Sequence, residues 1–110
     1  MIKIVSFGNK HRQLPDPTAE YIDCRGFKNP HDVPSLRTLT GLDPKVKDFV
    51  VRDSAFMQTL NRLILRGAPT RPIYFGCFGG RHRSVAMAEL AAKAFRTQGH
   101  TVTVEHLELT

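Results

Sequence analysis

The segment that most constrains this chain runs from Pro72 to Leu109. Pro72-Ile73-Tyr74-Phe75-Gly76-Cys77 is a compact apolar run and reads as a buried strand. Ser84 to Gln98 follows as a helix, with Val85, Ala88, Ala92 and Phe95 at inward spacing and Gly99 as its stop. Thr101 to Leu109 then alternates apolar and polar residues, the pattern of a further strand. Strand, helix, strand in this order closes as a crossover between parallel strands, which is right-handed almost without exception. The expected fold is therefore α/β: a three-layer single domain over residues 1–110, with a mainly parallel sheet of about four strands and flanking helices.

The rest of the chain supplies the remaining elements. Ile2 to Phe7 alternates and ends at Gly8, a first strand followed by a turn. Asn9 to Thr18 holds two prolines and forms a connection, and Glu20 to Cys24 is a short second strand. Phe27 to Gly41 is long and irregular, and loops of that length are usually lids or binding loops. Asp43 and Pro44 mark a helix start as N-cap and first helical residue, with Val46, Phe49 and Val50 on one face. Asp53 offers a second N-cap before Phe56, Leu60, Leu63 and Ile64, and Gly67-Ala68-Pro69 ends that helix.

Composition removes several classes. A chain of 110 residues, 41% apolar and 24% charged, is one globular domain, too rich in apolar residues for disorder and without a heptad or membrane pattern. The apolar start Met1 to Gly8 is too short for a signal peptide, and no stretch approaches a membrane span. Cys24 and Cys77 are too few for a disulfide scaffold and suit free thiols in a reducing, cytoplasmic setting. The five histidines show no metal-ligand spacing, so neither a metal nor another cofactor is expected. Sixteen basic against ten acidic residues give a formal charge of +6, which suggests an anionic partner. That excess is spread evenly, +2 in each of residues 1–40, 41–70 and 71–110, unlike the basic blocks of nucleic-acid surfaces. Residues 71–84, however, hold three arginines and no acid.

That local excess belongs to Gly76-Cys77-Phe78-Gly79-Gly80-Arg81-His82-Arg83-Ser84, which leads from the end of a strand through two glycines into a helix. Ligands of α/β proteins bind at such places. Glycines let consecutive N–H groups turn inward as an anion nest, and the helix N-terminus adds positive potential. Arg81 and Arg83 offer bidentate contacts to phosphate oxygens, and His82 can donate or titrate. A Walker A loop fails, since the fifth residue after Gly76 is Arg81. A second chemistry fits the same spacing: Cys77, five residues, then Arg83-Ser84, as in C-x-x-G-x-x-R-[ST] loops of cysteine-dependent phosphatases. Cys77 would then attack phosphorus as a thiolate while Arg83 and the loop hold the oxygens, with Ser84 completing the catalytic set. Gly76 stands where tyrosine phosphatases have His, and nothing singles out Asp23, Asp32 or Asp43 as the acid. The structural alternative makes Cys77 a small buried hydrophobe at a strand-to-helix turn.

The whole loop Cys77-Phe78-Gly79-Gly80-Arg81-His82-Arg83-Ser84-Val85 resembles the C-[TS]-G-G-x-H-R-S-V loop of the C-terminal domain of the RapZ/YvcJ family. Ser6-Phe7-Gly8, Asp23-Cys24-Arg25, Asn29-Pro30-His31, Leu36-Arg37, Thr40-Gly41-Leu42-Asp43 and the stretch from Gly99 to Leu107 with His106 also resemble that domain, in the same order. The resemblance implies a sensor or adaptor domain without established catalysis, binding glucosamine-6-phosphate and small regulatory RNAs presented to an endoribonuclease. Nucleotide hydrolysis belongs to the family's N-terminal P-loop domain, which residues 1–110 do not include, and is not carried over. The basic tail of the RNA-binding members is likewise missing from these residues, and Phe78 replaces a small hydroxyl residue.

The expectation is a non-catalytic binding domain for a phosphorylated small molecule, such as an amino-sugar phosphate. The alternatives are the cysteine-dependent phosphatase and an RNA-binding adaptor acting with a ribonuclease. A membrane partner is not expected, and a second copy of the chain or a separate protein stays open as a partner. Ligand contacts are expected from Cys77, Phe78, Gly79, Gly80, Arg81, His82, Arg83 and Ser84, joined by Asp23, Arg25, Asn29, His31 and Arg37. For Asp23 and Arg25 the competing reading is an internal ion pair. For Asn29 and His31 it is turn chemistry beside Pro30, and for Arg37 and Thr40 it is bracing of the next helix. His106 reads as a partly exposed sheet residue.

Overall fold

Alternation along β1 (Ile2–Gly8) sends Ile2, Ile4 and Ser6 to one face of a sheet and Val5 and Phe7 to the other. The first face carries the large core. Ile73, Phe75 and Cys77 of β3 (Ile73–Cys77) meet Phe56, Leu60 and Leu63 of α2 (Ser54–Leu65) there. Val50 of α1 (Pro44–Val51) and Met87, Ala88, Ala91 and Phe95 of α3 (Arg83–Thr97) complete it. Phe56, Phe75 and Phe95 are fully buried, each contributing roughly 1.5–3 kcal/mol by removal from water. The computed structural model describes residues 1–109.

The four strands, with β2 (Glu20–Asp23) and β4 (Val102–His106), are all parallel in the order β2-β3-β1-β4. Both helical crossovers, β2 to β3 and β3 to β4, step the same way across the sheet. Right-handed connections of one sense lay their helices on one face, and α1, α2 and α3 share the large core. The step from β1 to β2 runs the other way, and residues 9–19 cross the opposite face without a helix. Ala19 and Leu14 pack there with Val5, Phe7, Tyr21 and Tyr74. The domain is thus three-layered, the third layer being a loop over an aromatic cluster.

The sequence signals at the helix ends act as expected. Asp43 and Asp53 cap α1 and α2 by accepting from the N–H groups of Lys45 at 2.8 Å and Ala55 at 3.0 Å. Gly67 and Gly99 take positive φ, 87° and 96°, just past α2 and α3. β4 is shorter than the alternation of Thr101 to Leu109 suggests. Leu107 donates its N–H to the Ser6 carbonyl and the chain then turns back over the end of β1. Among the described residues no helix is long and apolar enough to cross a membrane.

His106 is a partly exposed residue of β4, as expected, and it also carries two side-chain bonds. Its Nε2–H donates to the Glu89 carboxylate on α3 at 3.0 Å, and its Nδ1 accepts from the fully buried Ser6 hydroxyl at 2.6 Å. The imidazole therefore ties α3 to β1 and β4 through the core face. His106→Ala leaves the Ser6 hydroxyl buried without a partner, at a cost of about 1–3 kcal/mol. Urea denaturation should show that loss, and Ser6→Ala combined with His106→Ala should recover part of it.

Candidate functional site

β1 and β3 are neighbours whose onward connections leave in opposite directions, so a crevice opens at their carboxyl ends. The backbone there is held by bonds from Asn9 N–H to the Cys77 carbonyl at 2.8 Å and from Lys10 N–H to the Phe78 carbonyl at 3.0 Å. The loop after β3 turns at Gly80, whose φ of 74° suits glycine, and lies directly on Gly8. A Cβ on Gly80 would come within 2.5 Å of the Gly8 nitrogen, and one on Gly8 within 2.7 Å of the Gly79 carbonyl. At Gly79 a Cβ would meet open space.

Glu108 locks this contact from the far end of the chain. Its carboxylate accepts from the Gly8 N–H at 2.9 Å and from Nε and Nη2 of Arg12, both at 2.9 Å. Its carbonyl accepts from Arg81 Nη1 at 3.0 Å. Burial works to raise the Glu108 pKa, but the bonds from Arg12 and Gly8 outweigh it and hold the carboxyl below its ordinary 4.5.

Above the loop lies a cavity of about 380 Å³. Its wall is built from Cys77 through Arg83, from Lys10 after β1, and from Asn29, His31 and Arg37 of the long segment. That wall carries four fixed cations and two imidazoles but no carboxylate. The helix behind it is unlike the other two: His82 at the N-cap of α3 makes no side-chain cap bond, so the first-turn N–H groups have no capping side chain. Arg83 is only 5% exposed. Its Nη1 donates to the carbonyls of Arg25 at 2.8 Å and Phe27 at 3.1 Å, while its buried Nε finds no partner among the described residues.

The long segment forms one side of the cavity and is pinned to the loop through backbone groups. His82 Nε2–H donates to the Leu39 carbonyl at 2.7 Å, and Gly41 N–H donates to the Arg81 carbonyl at 2.8 Å. Burial pushes the His82 pKa below its ordinary 6.5, against the pull of the Leu39 bond. Arg37 Nε donates to the His31 carbonyl at 2.9 Å. Lys28 N–H donates to the Asp53 cap at 2.8 Å, and Phe27 packs edge-on against Phe56. The segment is therefore a wall with its own anchors. Asn29 Oδ1 accepts from the His31 N–H, starting a 3-10 turn over Pro30–Asp32, so the turn chemistry and the place on the cavity wall coexist.

The other site candidates divide. Cys77 Sγ lies 3.1 Å from Ser84 Oγ, both buried, and Ser84 stands behind the cavity rather than on its wall. Cys24 and Cys77 are both unbonded thiols, and burial pushes the Cys24 thiol well above its ordinary 9.0, with Cys77 adding to the effect. Asp23 and Arg25 do end at the same sheet edge, but they pair with each other through bonds of 3.0 and 2.9 Å and do not line the cavity. Lys10, which lines the rim with its ammonium 5.4 Å from the centroid of the Phe78 ring, is absent from the sequence reading. Its signal was its place two residues beyond the end of β1, where α/β ligands gather.

A group held below its ordinary pKa stabilises the fold above that value, and the contribution is lost as pH falls through the lower folded value. The Glu108 contribution is therefore complete above about pH 4.5 and fades on further acidification. Urea midpoints measured from pH 7 downward should show a lower plateau and a shallower acid limb for Glu108→Gln than for the parent chain.

All 110 residues match the family model described as the RapZ C-terminal domain. A nucleotide-binding protein of Thermobifida fusca is 39% identical over 117 residues, covering 96% of this chain and 40% of the relative. Nucleotide-binding proteins of Acidiphilium cryptum and Symbiobacterium thermophilum are each 36% identical over 119 residues, covering 98% of this chain and 39% of the relative. The chain thus spans about two fifths of the length of these relatives. A match over the full length places this chain in the RapZ C-terminal domain family.

Proposed function

We propose that this domain binds a phosphorylated small molecule, with the phosphate seated on the Gly79–Gly80 turn and the uncapped start of α3. One observation carries the reading: four cations converge on an acid-free cavity at a helix N-terminus that no side chain caps. Arg83 fits the role of grip, since it lines the cavity and two backbone carbonyls already fix its orientation. The family resemblance suggests an amino-sugar phosphate such as glucosamine-6-phosphate, and the phosphate is the end of it that this wall fits. The relatives are named nucleotide-binding proteins, and a nucleotide is itself a phosphate ester.

Calorimetric titration with glucose 6-phosphate and glucosamine 6-phosphate tests the reading. Arg83→Ala should weaken binding about 10- to 100-fold, the worth of one or two charge-assisted hydrogen bonds. Phosphate at a hundred times its Kd should raise the parent's stability by about 2.7 kcal/mol and that of the variant by much less. Absence of binding by every phosphate ester tried would end the proposal.

The Cys77–Ser84 contact of 3.1 Å supports a second reading, since a hydroxyl at that position can hold a thiolate. In that reaction the Cys77 thiolate forms an S–P bond as the ester P–O bond breaks and the alcohol oxygen leaves with its electron pair, and water then attacks phosphorus, breaking the S–P bond and releasing phosphate and the thiolate. Among the described residues no carboxylic acid lines the cavity to protonate a poor leaving group, so only activated esters qualify. Turnover of 4-nitrophenyl phosphate, lost in Cys77→Ser, is the expected sign; none in the parent chain rejects this reading and leaves the binding reading standing. The RNA reading rests on the +6 charge and the resemblance, and a steeply salt-dependent gel shift would be its signature.

A further inference from the structure

We propose that Cys24 and Cys77 form a peroxide-oxidisable pair: Cys77 reacts at the cavity wall, Cys24 closes an intramolecular disulfide behind it, and the oxidised domain loses its hold on phosphate. The cross-link follows from the sheet, while its effect on binding rests on the phosphate reading above.

Strand register brings the two thiols together. β2 and β3 run parallel with Asp23 beside Gly76, and Cys24 continues the ladder by donating its N–H to the Gly76 carbonyl at 2.7 Å. The next position along sets Cys24 beside Cys77. Partners in a parallel ladder send their side chains to one face, and both cysteines belong to the large core on the helical side. Neighbouring strands stand about 4.8 Å apart, within the span of roughly 4.4–6.8 Å that a disulfide bridges between Cα atoms. Both thiols are unbonded. Cys24 lies just past the end of a four-residue edge strand, so little else moves with it. Its Sγ is 4.0 Å from Met87 Sδ, and the unbranched methionine side chain yields to small shifts.

The two sulfurs differ in access. Cys77 lines the cavity of about 380 Å³, with Sγ 3.1 Å from the Ser84 hydroxyl, which can donate to a thiolate. Cys24 is fully buried behind it. Hydrogen peroxide therefore meets Cys77 first. The Cys77 thiolate attacks one peroxide oxygen, an S–O bond forms as the O–O bond breaks, and the departing hydroxide takes up the proton that the thiol released. The Cys24 sulfur then attacks Cys77 Sγ; an S–S bond forms, the S–O bond breaks, and hydroxide leaves with the Cys24 proton as a second water. Two thiols are oxidised by two electrons and one peroxide is reduced. Cys24 immediately precedes Arg25, whose carbonyl braces Arg83 at 2.8 Å, and Cys77 opens the loop that carries Gly79 and Gly80. Drawing the two sulfurs together displaces that brace against that loop.

The test treats the reduced full chain with a small excess of hydrogen peroxide, then applies intact mass, peptide mapping and calorimetry with glucose 6-phosphate. The expected product is a monomer that has lost two hydrogens, holds a Cys24–Cys77 cross-link and regains both thiols in dithiothreitol. Oxidation should weaken glucose 6-phosphate binding at least about tenfold, and reduction should restore it. Cys24→Ala keeps a small apolar side chain in the core; it should bind like the parent and collect a dimedone-reactive sulfenic acid at Cys77. Cys77→Ala should leave Cys24 unoxidised. Should either variant fail to fold, mapping of the parent chain still decides. Thiols that stay intact, become sulfinic acid only or pair between chains overturn the inference, as does a cross-link that leaves affinity unchanged; the phosphate site stands in each case. A cross-link in a chain that binds no phosphate ester even when reduced ends the phosphate reading and the coupling to it, and leaves the disulfide.

Discussion

The backbone contact between Gly8 and Gly80 is the constraint on which the site depends. Two chain segments more than seventy residues apart meet there with no room for a side chain on either. The contact exists because β1 and β3 are adjacent and end together, Gly8 beside Cys77, so their two following loops must share one opening. Gly80 can turn at that distance only with positive φ, and the turn in turn aims the chain into α3. Glu108 then satisfies the Gly8 N–H that the contact shelters, so the end of the chain completes what its beginning and middle start.

From this contact the electrostatics of the cavity follow. A tight glycine turn brings the start of α3 to the opening, and the absence of a capping side chain leaves its dipole unanswered. The two aspartates that cap α1 and α2 show what the chain does where no opening is kept. The acids of the neighbourhood face away, joined to Arg25 and Arg12, so positive charge accumulates on one wall while the protein as a whole has only a modest excess. Field of one sign in a concave, partly dry place is stronger than the same charges spread over a surface.

Much of this was legible in the sequence, and the part that was not has a common cause. Strand alternation, the Asp43-Pro44 start, the Gly67 and Gly99 stops and the Gly-Gly turn are local codes, read within a few residues, and they appear in the structure with shifts of at most two positions except at the end of β4, which stops three residues early. Lys10, Glu108 and the Ser6–His106–Glu89 chain act across the sheet, and no local pattern encodes which surface residue of one strand will sit beside the next. Arg83 shows the middle case. Its place at a helix start was visible in the loop, but its bracing by the Arg25 and Phe27 carbonyls required knowing that β2 lies next to β3.

The manner in which the long segment is attached sets what it can change. Arg83, His82 and Arg81 grip it at Phe27, Leu39 and Gly41, and at Arg25 just before it, and at all four places the bond is to the main chain. Main-chain atoms are the same in every residue, so the outward side chains between those points can drift while the wall stays in register. Length is another matter. One residue added or removed between Phe27 and Leu39 would carry a carbonyl away from its donor and leave a buried cation or imidazole unmatched. Such a wall is permissive in spelling and, between its anchor points, strict in spacing.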